Sequence, residues 1–293
     1  MENKLHVSLS PHISSSNSTQ KTMLDVIIAL VPASIAAVIL FGIPALFNIA
    51  VKKEQTIGDL SAVVTGLILA LNLPANVPLW QAAVGSVFAI VIVKGIFGGL
   101  GKNIVNPAIA ARVFMLIAFG SMTKAAFPTG LDSVSGATPL ADLANDKAVN
   151  LLDLFLGKCG GALGETCTVA LLIGGIYLLV RKVISWHIPV AFIGTTFLFT
   201  FAVEGWNLET TLAWVLSGGL VLGAFFMATD YVTSPTTAKG KLIFGIGAGV
   251  ITVLIRFWGG YPEGVSFAIL LMNIVNPYID SLTPRKIFGG KKK

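Results

Sequence analysis

The chain has 293 residues, 55% of them hydrophobic and only 12% charged, where a soluble domain has about 45–50% and about 25%. That balance excludes a soluble enzyme and reads as an all-α, polytopic membrane helical bundle. Twenty Lys and Arg against fourteen acids leave a net charge of +6, but the basic residues cluster beside apolar runs, as the positive-inside bias produces. The bilayer is therefore the expected partner, and nucleic acid is not.

Residues 1–22 are polar and carry Lys4, His6, His12 and Lys21, which reads as a short cytoplasmic segment. Apolar runs near 23–51, 60–73, 79–97, 107–122, 163–180, 188–203, 212–228, 242–258 and 265–279 predict a single membrane domain over 23–280. About eight to ten transmembrane helices are expected in it, with broken or re-entrant segments among them. The run 60–73 is too short to span and stops at Asn72-Leu73-Pro74, with Pro78 close behind. That pattern predicts a broken or re-entrant helix, allowed only where protein or water satisfies the freed backbone groups. The stretch 121–162 is polar, with three Lys against four Asp. Putting the basic connections at Arg181-Lys182 and Lys239–Lys241 inside, together with the basic tail 281–293, makes 121–162 extracytoplasmic and both termini cytoplasmic. The parity needs eight crossings plus a non-crossing 60–73, and it leaves Lys52 and Lys53 outside against the rule.

Asn103-Ile-Val-Asn-Pro107 recurs as Asn273-Ile-Val-Asn-Pro277, each preceded by a Gly-Gly pair. Either the chain contains an internal duplication, as transport folds often do, or Asn-Pro is simply a good helix start, with Asn as N-cap and Pro at N1. On the duplication reading 212–228 is the counterpart of 60–73, and re-entrant as well. Gly174-Gly175, Gly245, Gly247 and Gly249 read as close helix packing, and Trp80, Trp186 and Trp206 as an interfacial belt. Cys159 and Cys167 are too few for a zinc or iron–sulfur site and read as free thiols. No metal site is expected.

The stretch most suggestive of chemistry is Asp132-Ser-Val-Ser-Gly-Ala-Thr138-Pro-Leu140. Gly136 permits a tight turn, Pro139 pushes Thr138 out of the helical region, and Asp132 is placed to brace the turn. Local composition alone reads this as an ordinary external turn with an accessible hydroxyl. Charged residues in or near apolar runs are Asp25, Asp59, Arg112, Glu165, Asp230, Arg256 and Asp280. Such groups usually face the bundle interior or water. Arg112 lies deepest, where it either steadies an anionic group or pairs with an acid such as Asp59. The acids Asp25, Asp230 and Asp280 read as interface residues.

Asp132, Ser135, Gly136, Ala137 and Thr138 together resemble the acceptor motif of flavin transferases of the ApbE type. Ser10-Pro-His-Ile13, Ser18-Thr-Gln-Lys-Thr-Met23, Ala29-Leu-Val-Pro32 and Asn106-Pro-Ala-Ile-Ala-Ala-Arg112 are similar to the D subunits of Rnf complexes (RnfD). The B subunits of Na⁺-pumping NADH:quinone oxidoreductases are relatives that carry a longer N-terminal extension. The resemblance implies a redox subunit in a bacterial or archaeal plasma membrane, with FMN esterified through its phosphate to Thr138. It also implies the A, B, C, E and G subunits as partners, and passage of electrons from ferredoxin towards NAD⁺ coupled to Na⁺ or H⁺ export. Some relatives hold a second, non-covalent flavin such as riboflavin, to which no residue here is assigned. From another class, a small-solute transporter or channel with duplicated halves also fits the pattern, as does a passive membrane anchor.

Overall fold

The computed structural model describes residues 19–41, 60–96, 101–123, 138–145, 147, 149–259 and 263–284. The N-terminal segment up to 18, Asp59, the motif residues Asp132, Ser135, Gly136 and Ala137, and the tail from 285 lie outside them. Among the described residues there is no strand. The helices are α1 (Thr19–Phe41), α2 (Ser61–Leu71), α3 (Leu79–Val87, continuing as a π-helical segment Phe88–Gly95), α4 (Pro107–Ala118), α5 (Pro139–Leu143) and α6 (Leu151–Leu156). They are followed by α7 (Thr168–Val180), α8 (His187–Val203), α9 (Leu208–Leu216), α10 (Leu220–Met227), α11 (Ala238–Trp258) and α12 (Val265–Leu282). Each of the predicted apolar runs holds helix among the described residues. Within α1 (Thr19–Ile39), α11 and α12 there are spans long and apolar enough to cross a membrane, while α2, α3 with its continuation, α4, α7 and α8 are shorter apolar helices. The chain is a polytopic membrane helical protein.

Long helices pair through small residues. A Cβ at Gly174 of α7 would run into the Ala29 carbonyl of α1, and one at Gly245 or Gly249 of α11 would meet the backbone of α8 at Ile188 or Phe192. Close approach of this kind maximises van der Waals contact where lipid offers no hydrophobic driving force, so these glycines pack helices as their spacing suggests.

Two interruptions shape the interior. The first follows α2, whose Asn72 cap donates from Nδ2 to Ile68 O at 2.7 Å. Beyond it, the Leu71 and Leu73 carbonyls accept from Gly164 N (2.6 Å) and Leu163 N (3.0 Å). A segment about ninety residues further along the chain thus satisfies groups that the break frees. The second separates α9 from α10, which meet at 63° across Ser217-Gly218-Gly219, as a broken span or a re-entrant loop. Gly218 has φ +68°, and a Cβ there would strike the Leu140 side chain. The break therefore requires glycine for both backbone and space.

The repeated pentapeptide does not repeat a structure. Asn106 caps α4, accepting from Ala108 N (3.0 Å) and Ile109 N (3.4 Å) with Pro107 at the first helical position. Asn273 and Pro277 instead lie inside α12, which begins eight residues before Asn273. The expectation of a helix start at both copies therefore holds only for the first. The polar stretch 121–162 is also more ordered than its composition suggests: Leu140, Leu143 and Leu154, on or beside α5 and α6, form a small core with Ala213 and Trp214 of α9.

Candidate functional site

Thr138 has an extended backbone (φ −67°, ψ 155°) and caps α5, its hydroxyl oxygen accepting from Ala141 N at 3.2 Å. Pro139 at the first helical position fixes this geometry, as the sequence suggests. The small core under α5 seats Thr138 at the wall of a recess of about 920 Å³ counted to its open mouth, solvent space included. Leu116, Met122, Leu140, Leu154 and Leu216 supply an apolar lining, and Asn72, Arg112, Glu165, Ser217 and Glu263 a polar one.

Arg112, on the second turn of α4, is the centre of the polar side. Its Nη2 lies 2.7 Å from Glu165 Oε1 and also pairs with Glu263 Oε2, while Nη1 donates to Asn72 Oδ1. Arg112 thus pairs with acids, two of them far apart in sequence; Asp59 lies outside the described residues. Arg256, near the end of α11, donates to the carbonyls of Trp214 (2.6 Å), Ser217 (3.1 Å) and Glu263 (3.3 Å). It ties the free carbonyl end of α9 to the start of α12, a C-terminal cap by a cation. Two buried polar atoms of the lining, Thr166 Oγ1 and Ser217 Oγ, have no hydrogen-bond partner among the described residues. Buried polar atoms are rarely left so, which marks the recess as a place for a polar occupant. Cys159 borders it as a free thiol, which burial, then Glu165, Asp153 and Cys167, push up to about 12. It stays protonated at neutral pH and is a poor nucleophile.

A second recess, about 780 Å³ to its mouth, opens at the opposite end of α2 and α4. Ser61, Thr65, Lys94, Asn103, Asn106, Thr229 and Asp230 line it, and the buried Lys94 donates to Ser61 Oγ. On α2 the two recesses are separated by the turn from Ile68 to Asn72, and on α4 by the turn from Ala108 to Arg112, about 6 Å of rise in each case.

The remaining charged residues read from the sequence are engaged locally. Asp25 pairs with Arg181 (3.2 Å) and accepts from Tyr177 Oη (3.1 Å); Asp230 accepts from Thr233 Oγ1 (3.0 Å) and Asp280 from Thr236 N (3.1 Å). Asp25 thus joins α1 to the end of α7 through an exposed Arg181. Two participants, the part-buried Glu263 and the buried Lys94, carried no sequence signal. Glu263 follows a Gly-Gly-Tyr-Pro connection, and Lys94 ends a run otherwise long enough to span. Among the described residues no group of three His, Cys, Asp or Glu is placed to hold a metal ion.

The family model described as the NQR2, RnfD, RnfE family matches residues 6–53 and 49–289. The chain is 47% identical to the D subunit of the Na(+)-translocating ferredoxin:NAD(+) oxidoreductase complex of Acetobacterium woodii, over 99% of this chain and 97% of that one. It is 41% identical to the D subunit of the proton-translocating ferredoxin:NAD(+) oxidoreductase complex of Clostridium ljungdahlii (99% and 98%). A third relative, the D subunit of the ion-translocating oxidoreductase complex of Ectopseudomonas mendocina, is 37% identical (97% and 95%).

Proposed function

The chain belongs to the NQR2, RnfD, RnfE family, and from that premise we propose that it is a membrane electron-transfer subunit carrying FMN as a phosphoester on Thr138. It acts within an Rnf-type complex in the bacterial plasma membrane, beside the A, B, C, E and G subunits. There it relays electrons between ferredoxin and NAD⁺ in a process coupled to Na⁺ or H⁺ translocation. Thr138 matures by the action of a transferase of the ApbE type on the extracytoplasmic side.

The observation that carries this reading is the seat of Thr138: a capping hydroxyl on the wall of a recess with an apolar lining, a buried guanidinium and polar atoms still wanting partners. FMN, when bound, supplies storage for one or two electrons, and the protein supplies position and electrostatics. Thr138 would hold the phosphate, its ester oxygen still free to accept from Ala141 N. The leucines and Met122 would exclude water from the ring, and Arg112 would set the local field. The second recess, polar and of comparable size, is where a non-covalent flavin such as riboflavin would be held. The basic Arg181-Lys182 connection, joined to α1 by the Asp25–Arg181 pair, and Met23 and Val26 of α1, which line the second recess, stand at the end of the bundle away from Thr138. This supports an extracytoplasmic Thr138.

One observation favours a second reading. Two recesses facing each other across one helical turn also suit a small-solute channel. Co-expression with a flavin transferase, followed by a denaturing gel imaged for flavin fluorescence, separates the two. A band that survives denaturation and vanishes in Thr138→Ala is expected. A dark wild-type band, with the transferase active on another substrate, overturns the flavin reading and puts the channel first.

A further inference from the structure

Arg112 points a single nitrogen, Nη2, at two carboxylates. Glu165 is the deeper, its side chain 5% exposed, whereas that of Glu263 is 31% exposed and opens on the recess. The groups that face Glu263 come from four parts of the fold: Arg112 on α4, Glu165 in the segment before α7, Arg256 on α11 and the Cys159 thiol across the recess. Arg256 is already committed to three carbonyls. With both acids ionised the two guanidinium groups are balanced, so any negative charge brought into the recess is uncompensated.

The geometry points to Glu263 as the proton-accepting group of this recess, taking one proton from water when an electron is added there and releasing it when the electron leaves. This rests on the reading of the recess as a flavin site. The Arg112–Glu165 pair persists as the fixed ion pair beneath it. The balance is simple: an external one-electron donor is oxidised, one proton from solvent converts the Glu263 carboxylate to the acid, and no protein bond breaks. Two carboxylates crowd onto one guanidinium nitrogen, so the charge of Glu165 favours a proton on Glu263 while Arg112 opposes it. Although nearly a third of the Glu263 side chain is open, burial raises its carboxyl, to about 7, against the lowering charge of Arg112 and with the help of Glu165.

The test is a redox titration of the flavin-loaded chain with dithionite at a series of pH values, wild type beside Glu263→Gln, with difference infrared spectra of the carboxyl region. Each proton taken up makes the reduction equilibrium constant fall tenfold per pH unit. Above neutral pH the wild type is expected to show one such factor more than E263Q, together with a protonated-carboxyl band that appears on reduction and is missing from the variant. Equal slopes, or a band that survives in E263Q, overturn the assignment. Should E263Q fold poorly, Glu263→Asp keeps a carboxyl and is expected to shift the band without removing it; an unshifted band overturns the assignment. Failure of the flavin reading is told apart by Thr138→Ala. A pH titration of this flavin-free chain in the infrared still shows whether a carboxyl protonates near neutrality and whether E263Q removes it; absence of that band overturns the assignment whatever the fate of the flavin.

Discussion

The two recesses are built at opposite ends of the same two short helices, yet they hold charge differently. The one beside Thr138 contains a closed set of two guanidinium groups and two carboxylates, drawn from α4, α11 and two connecting segments. The other contains Lys94 held by a hydroxyl, with the Asp230 carboxylate on the same wall. Burying a charge is tolerable when its partner is also buried; in the first recess one guanidinium is shared by two carboxylates, whereas in the second the Lys94 charge acts on the carboxylate of Asp230. Between them lies a seam in which the two copies of one pentapeptide meet. Asn273, with its amide turned to satisfy both ends, accepts from Asn106 N (3.1 Å) and donates to Thr233 O (3.2 Å), while Asn106 Nδ2 donates to Met227 O (3.2 Å).

The largest expected effect lies in the closed set. Arg112→Met strands Glu165 in a buried site and is expected to lower stability in detergent by about 3–5 kcal/mol. Adding Glu165→Gln should recover part of that loss. Lys94→Met, at the other recess, is expected to cost less than Arg112→Met when melting temperatures are compared. A loss for Lys94→Met as large as that for Arg112→Met would mean the two recesses are equally charge-dependent.

Next comes the seam. Asn273→Ala leaves the Asn106 N–H and the Thr233 carbonyl without that partner and is expected to cost about 1–3 kcal/mol. Asn276→Ala should cost less, because Asn276 Oδ1 has no partner among the described residues. Thermal melts of the two variants side by side decide it.

The pH dependence is smaller and its sign is set by Glu263. Its carboxyl is raised from 4.5 to about 7 in the fold, so between those values the folded chain binds more protons than the unfolded one. Stability therefore falls as pH rises through that window. Glu263→Gln should flatten the slope, while variants in the second recess leave it unchanged.

The smallest effect compares the prolines. Pro107 sits where a missing N–H costs nothing, so Pro107→Ala should stay within about 0.5 kcal/mol of wild type. Pro277 interrupts the ladder inside α12, and Pro277→Ala is expected to raise stability by about 1 kcal/mol. Opposite ordering in denaturant or heat would mean that α12 needs its proline.

Much of the architecture was legible in the residues alone. Apolar runs mark helices because an exposed backbone cannot be left in lipid. Asn72-Leu73-Pro74 marks the end of α2 because proline cannot continue a helix, and Thr138-Pro139 marks a cap. The spaced glycines mark helix contacts. These are local rules, decided by a residue and its near neighbours. What the chain order conceals is everything that depends on a distant partner. Glu263 reads as a loop acid until α11 and α12 bring it onto Arg112, 151 residues away. Two identical pentapeptides take different structures because one follows a loop and the other a helix already begun. Local chemistry set the elements and the capping hydroxyl; the buried charge set, the recess beside Thr138 and the meeting of Asn106 with Asn273 were decided by tertiary packing, which alone determines which buried charges find their counter-charge.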